Sequence, residues 1–448
     1  MDKKKLKLQN QIIKEALKQG FTDCEVFYLG GESFEVLLME GEVSNYENSS
    51  ESGISFRGTF KGRTGYAFSE RIDEDMIEFL ICAAKENAQL MSQDEREDLF
   101  GGEDYSSFDG YHSQLEAISI EKRIQLAKRM EQAALGGAEK IASLDYCVLG
   151  IAKREVAITN SLGLNVSYVK NFASGYVSAI AKNGDETKKG SAFWKGTDWA
   201  TFDPEDVGRT AARKAAALLG ASTVNSGTYT AVLDAKATTA LLSSFCGVFF
   251  AENVQKGFSL LQDKLQKQVA TDCITLRDDA LLERGYVSVP FDSEGVAGKN
   301  KAIIENGYLK TFLYNLKSAK KDGVKSTGNG FKAGLTLPVK TACTNFYIES
   351  GKKSLDELFA TMNDGLYITD FMGLHAGTNA VSGEFSLSAE GFYVEGGKVS
   401  YPVEQITVAG NFYTLLQDIL AVGDDLYFAS SGKGSPSVLV KGIAVAGK

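Results

Sequence analysis

Two hydrophobic rhythms alternate along the chain. Residues 4–19 place Leu6, Leu8, Ile12, Ile13, Ala16 and Leu17 at helical spacing, and Gly20 stops the run, which predicts an amphipathic helix. The period then shortens. CEVFYLGG and SFEVLLMEGEVSNYE read as consecutive strands, and ESGISFRGTFKGRTGYAFSE reads as a hairpin turning near Lys61-Gly62. DEDMIEFLICAAKENAQL returns to helix, with acids at its positive end. Gly101 to Tyr111 is polar and without period, a loop, and residues 113–135 predict one longer helix ending near Gly136-Gly137. Strands resume in LDYCVLGIAKREVAITNSLGLNVSYVKNFASGYVSAIAKNGDE, where Asn183-Gly184 makes a hairpin turn. REVAITNSLGLNVSYVK echoes FEVLLMEGEVSNYEN faintly, short of a repeat.

The sharpest start signal is Asp203-Pro204-Glu205-Asp206, a cap residue, a proline at the first helical position and acids in the first turn. The helix it opens runs to Gly220. ASTVNSG follows as a linker-like turn, which predicts a domain boundary there, with domains at 1–222 and 223–448. Beyond it TYTAVLD reads as a strand, and ATTALLSSFCGVFF is a helix apolar on nearly every side, hence buried. From about 272 onward short strands alternate with glycine turns such as Glu305-Asn306-Gly307 and Glu395-Gly396-Gly397, the mark of antiparallel hairpins. The expected fold class is α+β. An N-terminal mixed α/β domain with antiparallel hairpins and flanking helices precedes a C-terminal, mostly antiparallel β domain with a buried helix, able to close into a barrel-like sheet without edges.

Composition sharpens this picture. The 46 Gly, 26 Phe and 18 Tyr against 5 Pro fit a strand-rich chain with tight turns. A balance of 48 basic to 58 acidic residues, net charge −10, argues against direct nucleic-acid binding, which needs a basic face. No apolar run is long enough to span a membrane, and the lysine-rich N-terminus lacks the apolar core of a signal peptide, so the expected location is the cytoplasm. Six isolated cysteines without a C-x-x-C pair read as reduced, mostly buried thiols. With only His112 and His375, a three-histidine zinc site cannot be built.

Candidate chemistry is sparse. No phosphate-binding P-loop, dinucleotide fingerprint or nucleophile elbow occurs, and KSTGNG (325–330) reads as a flexible surface loop. His375 lies in the glycine-rich FMGLHAGTNAVSGEF, where a histidine can donate hydrogen bonds or act as a base; His112 opens a helix and reads as a surface residue. A triad could in principle join His375 to Asp370 and either Ser382 or Ser431, but nothing local activates either serine. Asp278-Asp279 and Asp424-Asp425 are adjacent on strands, so their side chains point to opposite faces. Cys246, inside the buried helix, reads as an inert core residue.

The stretches SGISFRGTFKGRTGYAFSE, YVSVPFDSEGVAGKNKAIIENGYLKTFLYNLKSAKK, STGNG, GLHAGTNAVSGEFSLSAEGFYVEGGKVSYPVEQITVAG and AVGDDL resemble the TldD/PmbA family over nearly the whole chain, and its PmbA branch, also called TldE, most closely. The family, once described as modulators of DNA gyrase, comprises the two kinds of subunit of a metalloprotease. The resemblance implies that the TldD-type subunit carries zinc on an H-E-x-x-x-H helix with a later cysteine. By position, those places fall here on Ser243, Ser244, Val248 and Ser431. Valine has no lone pair for a metal, a serine hydroxyl is a poor substitute for imidazole, and Ser244 cannot replace a general-base glutamate. Two histidines five apart on a regular helix would diverge by about 140°, so the metal-bearing version needs a distorted helix. Gly247 is either a remnant of that distortion or a close-packing glycine.

The resemblance therefore implies no catalytic residue, metal or cofactor in this chain, and zinc in a TldD-type partner. This chain would complete the wall of a chamber that admits unfolded or short peptides, with the loop of His375, Asn379, Ser382 and Glu384 as the expected substrate contact. Isolated, it would pair with itself as a homodimer. Two alternatives stay open at this point: a stand-alone peptidase with an unconventional site, and a non-enzymatic regulatory binding protein linked to gyrase modulation.

Overall fold

A computed structural model describes residues 3–91 and 97–448. Six strands form the N-terminal sheet: β1 (Phe21–Met39), β2 (Glu42–Phe60), β3 (Arg63–Ser69), β4 (Ile141–Asn160), β5 (Asn165–Asn183) and β6 (Glu186–Gly196). Their order is β3-β2-β1-β4-β5-β6, antiparallel throughout. Tight turns join them where the backbone adopts positive φ, at Glu40-Gly41 and Lys61-Gly62. The expected hairpins at Lys61-Gly62 and Asn183-Gly184 are present. The break expected at Gly30-Gly31 is not: β1 runs straight through, because a Cβ on Gly30 would lie 2.5 Å from the Tyr28 hydroxyl, and the glycine makes room for that ring.

The sheet is built from two like halves. Helices Lys3–Lys18 and Met76–Leu90 cover β1–β3, burying Ile12, Ala16, Leu80 and Ile81 against Val26, Ile54 and Phe56. Helices Ile120–Leu135 and Pro204–Ala217 cover β4–β6, burying Leu126, Met130 and Ala211 against Leu149, Ala173 and Val177. Helix, three antiparallel strands, helix thus occurs twice, a repeat of topology that the sequence echo was too weak to establish. Many residue sets satisfy a period-2 face, so the pattern can persist while the letters diverge. The single helix expected over 113–135 is two, Ser113–Glu116 and Ile120–Leu135, because the Ser119 hydroxyl accepts the Lys122 N–H and caps a fresh start.

The C-terminal part holds a closed ring of strands. Lys398–Asn411, Glu384–Glu395, Gly365–Met372, Gly227–Leu233 and Val438–Ala446 pair in that order, and the last returns to the first through Thr407–Ala446 and Ala409–Ala444. Only Gly227–Leu233 and Gly365–Met372 run parallel within it. The ring closes through three residue pairs, Thr407–Ala446 to Ala409–Ala444, which makes it the barrel-like sheet that the hairpin pattern anticipated. A second six-stranded sheet includes Leu276–Asp279, Asn345–Ile348, Lys433–Ser435 and Tyr427–Phe428. The protein is therefore α+β, with a mixed first part and a mostly antiparallel second part.

Helix Ala235–Phe245 packs between ring and second sheet, with Phe245 stacked on Phe412 at 4.7 Å. KSTGNG is not a surface loop at its far end. Gly328, Asn329 and Gly330 are buried, and the Asn329 amide donates to Asp278 at 2.9 Å and to the Ala342 carbonyl. Among the described residues, no helix is long and apolar enough to cross a membrane.

Candidate functional site

The positions of the degenerate motif lie where the buried helix ends. Its α-helical part stops at Phe245, and a 3-10 turn follows over Cys246–Phe249. That is the irregularity a five-residue ligand spacing requires. Gly247 sits inside it, and its carbonyl accepts from the Asn253 side chain at 2.8 Å. A Cβ there would meet only that amide, at 3.3 Å, so close helix packing does not require the glycine. The side chains at the four positions are three serines and a valine. The Ser244 hydroxyl is spent on the Ala240 carbonyl of its own helix at 3.1 Å, and Val248 is 1% exposed within the apolar core. Ser243 is half-buried, and Ser431 is exposed on the segment leading into Lys433–Ser435, the strand on which this helix packs. These residues do not fit a zinc ion. Among the described residues, no three His, Cys, Asp or Glu side chains converge so as to hold a metal.

A different polar group occupies the neighbourhood. Cys246, expected as an inert core residue, is half-buried at the helix end, and a hydrogen bond from Cys343 holds its thiol below the usual range, against burial and with help from Lys433. The same hydrogen bond, together with burial, pushes Cys343 well up. Lys433 also reaches the Ser431 carbonyl at 3.3 Å. Cys343 is far away in sequence, so no local pattern could have announced the pair. Of the six thiols, only Cys24 and Cys147 are fully buried, and Cys82 and Cys273 are exposed, which corrects the expectation of mostly buried cysteines.

The loop expected to meet substrate is one compact turn. Asn379 accepts the N–H groups of Val381 and Ser382 through its side chain, and Ser382 donates to Glu384 at 3.1 Å. Phe412 N–H and the Asn411 amide, where strand Lys398–Asn411 passes into helix Phe412–Asp418, tie the turn down through the carbonyls of Gly383 and Ser382. Three of the four expected residues are thus joined by direct bonds. His375 stands exposed in the short helix Leu374–Gly377 before them. Asp370, the orienting acid of a triad, is paired instead with Lys236 at 2.6 Å. Asp278 bonds Lys301 and the Thr344 N–H, while Asp279 bonds the Leu281 N–H, so the adjacent acids have separate partners as the strand geometry demands.

Sequence reasoning missed a second region, between the second half of the N-terminal sheet and the C-terminal part. Lys170 on β5 and Lys195 on β6 project there, and His112, expected at the surface, is half-buried along the same cavity. The signal available was a lysine at an inward position of each strand, visible only once the strand faces are known.

These features define an α+β protein whose buried helix ends in a 3-10 turn and where, among the described residues, no cluster of metal-ligating side chains converges. Family profiles described as PmbA/TldA metallopeptidase domain 1, central domain and C-terminal domain match residues 24–88, 113–219 and 226–447. The chain belongs to the TldD/PmbA metallopeptidase family. It is 29% identical to Metalloprotease PmbA of Escherichia coli O157:H7 over 98% of this chain and 97% of that one. It is 30% identical to the Metalloprotease PmbA homolog of Haemophilus influenzae, over 95% and 94%. Its fold matches the crystal structure of a Thermotoga maritima protein, named as a candidate modulator of a DNA gyrase, with TM-score 0.91 and 33% identity over 98% and 99% of the two chains.

Proposed function

We propose that this chain is the PmbA/TldE-type subunit of a cytosolic heteromeric metalloprotease that degrades unfolded or short peptides. A TldD-type partner supplies the zinc site, while this chain supplies chamber wall and substrate contacts through the His375, Asn379, Ser382 and Glu384 loop. In this reading residues 1–222 and 223–448 act as two domains, and the isolated chain pairs with itself. One observation carries the reading: the motif helix keeps its 3-10 end, yet Val248 is sealed in the core and Ser244 is spent on its own backbone. A valine has no lone pair for a metal, and a neutral serine hydroxyl is a poor zinc ligand and no general base.

Hydrolysis of an unstructured reporter peptide tests the proposal. This chain alone, a TldD-type sister alone and the two mixed are compared, each with and without a chelator. Turnover confined to samples holding the sister, raised by this chain and abolished by the chelator, is the expected result. Chelator-sensitive turnover by this chain alone, in preparations free of contaminating peptidase, would overturn it.

A further inference from the structure

A cavity of about 1000 Å3 lies between the second half of the N-terminal sheet and the C-terminal part. The strand period sets its wall. Odd positions of β5 (Ala173, Val177, Ala179) pack under the helices, so the even positions Lys170 and Phe172 face the cavity, joined by Phe193 and Lys195 of β6. Tyr286 and Phe428 close the other side. Lys195 is only 9% exposed. Its ammonium lies 3.8 Å from the Phe172 ring centre and 4.9 Å from that of Tyr286, and donates to the carbonyls of Tyr286 and Ser430 at 3.3 and 3.4 Å. Lys170 donates to the Ser288 carbonyl at 3.1 Å.

Among the described residues, neither lysine has a carboxylate within ion-pair distance. The acids along the cavity, Asp109, Asp198 and Glu283, are all exposed, as is Arg284, so they belong to its rim, and the lysines to its depth. Burying cationic side chains without a counter-charge is costly, and proteins normally pair them. We infer that the cavity is a binding subsite for an organic carboxylate bearing an apolar or aromatic group; resting on the function proposed above, that ligand is the C-terminal residue of a peptide. The carboxylate would take the buried ammonium groups, and the side chain would lie among Phe172, Phe193, Tyr286 and Phe428. Inorganic phosphate offers the same charge but leaves that aromatic wall unused. Consistent with an unmet counter-charge, burial holds Lys195 down at about 8, and burial with the nearby Arg154 and Lys195 charges holds Lys170 down at about 7. The cavity also adjoins the Ser430-Ser431 segment through Lys195, which puts it beside the degenerate motif.

Isothermal titration of the full chain with the tripeptide Ala-Ala-Phe, its C-terminal amide and inorganic phosphate tests this. The free acid should bind, with amide and phosphate each at least about tenfold weaker, the worth of a lost charge-assisted contact plus the aromatic wall. Lys195→Met should erase the preference for acid over amide while leaving the thermal melt intact. Because the comparison of ligands needs only the unsubstituted protein, a misfolded variant does not rescue the idea. Equal affinity for acid and amide, no binding of the acid, or phosphate binding as tightly as the acid each overturns the assignment. The peptidase assay is scored separately. Loss of ligand preference with stimulation of the sister intact removes the subsite alone. A retained preference with no stimulation removes the peptide assignment and the subunit reading while leaving a carboxylate site.

Discussion

The two halves of the N-terminal sheet share a topology but treat buried cations in opposite ways. In the first half, Arg57 on β2 is 3% exposed and points toward the C-terminal part, as does Ser55, which Lys332 contacts at 2.7 Å. Arg57 is ion-paired through Nε to Glu25 at 2.8 Å and through Nη1 to Glu97 at 3.0 Å, while its buried Nη2 has no partner among the described residues. Burial works against its charge, but Glu25, then Tyr66 and Glu97, outweigh it and hold its pKa well above the usual range. In the second half Lys170 and Lys195 face the C-terminal part with, among the described residues, carbonyls and rings but no carboxylate as partners. Their pKa values fall instead. Burial is common to both halves; the carboxylate decides the sign. Glu25 and Glu97 neutralise Arg57 from within the N-terminal part itself, whereas the two lysines of the second half have no such partner among the described residues.

The largest effect should come from breaking the first pair on one side. Arg57→Met leaves Glu25 buried without its partner and should cost about 3–5 kcal/mol in chemical denaturation. Lys195→Met removes a buried charge that had no counter-charge, so it should fall within about 1 kcal/mol of the parent or stabilise it. Equal losses for the two would dissolve the distinction.

A pH effect comes next, from the acids that the C-terminal part sends toward the first half. Asp292 accepts backbone N–H groups from Gly330, Glu294 and Val296, whereas Glu294 accepts only that of Leu316. Burial, then the Asp292 charge, pushes Glu294 up to about 8 from its ordinary 4.5. A carboxyl raised on folding contributes stability that is complete below its unfolded value and is lost as the pH rises through the folded one. Glu294→Gln keeps an acceptor for Leu316 and cannot ionise. Its unfolding free energy should therefore decline less than the parent's between pH 4.5 and 8, by at least about 1 kcal/mol over that window. Parallel pH profiles would show that Glu294 does not carry the buried proton.

The smallest contrast lies at the helix starts of the two halves. Asp203 accepts the Asp206 N–H at 2.9 Å and caps Pro204–Ala217, whereas Asp75, at the start of Met76–Leu90, makes no side-chain cap bond. Asp203→Ala should cost about 1 kcal/mol and Asp75→Ala only about 0.3 kcal/mol in thermal melts. A reversed order would move the cap to the wrong half.

How much was legible depended on the range of the interaction. The Asp203-Pro204 start, the Lys61-Gly62 and Asn183-Gly184 turns and the hairpins around Gly307 and Gly397 were readable because each is set by a few adjacent residues. The repeat was not, because two sequences can share a face pattern without sharing residues. Ser119 hid a helix break, since a serine within a helical rhythm becomes a cap only when the chain around it bends. At the site, the residue types at Ser243, Ser244, Val248 and Ser431 could be read, but the Cys246–Cys343 contact and the Lys170–Lys195 cavity could not.

The sequence by itself determined the local signals: alternation that makes strands, caps and glycine turns that end them, and the absence of zinc donors at four positions. Those are properties of neighbouring residues and their own chemistry, which no folding can change. Tertiary structure alone decided which lysines lie buried without a carboxylate, which thiols meet, and that the last strand closes the ring onto Lys398–Asn411. Such facts depend on which surfaces are removed from water together, and burial turns a charge's solvation into a constraint only once distant segments have met.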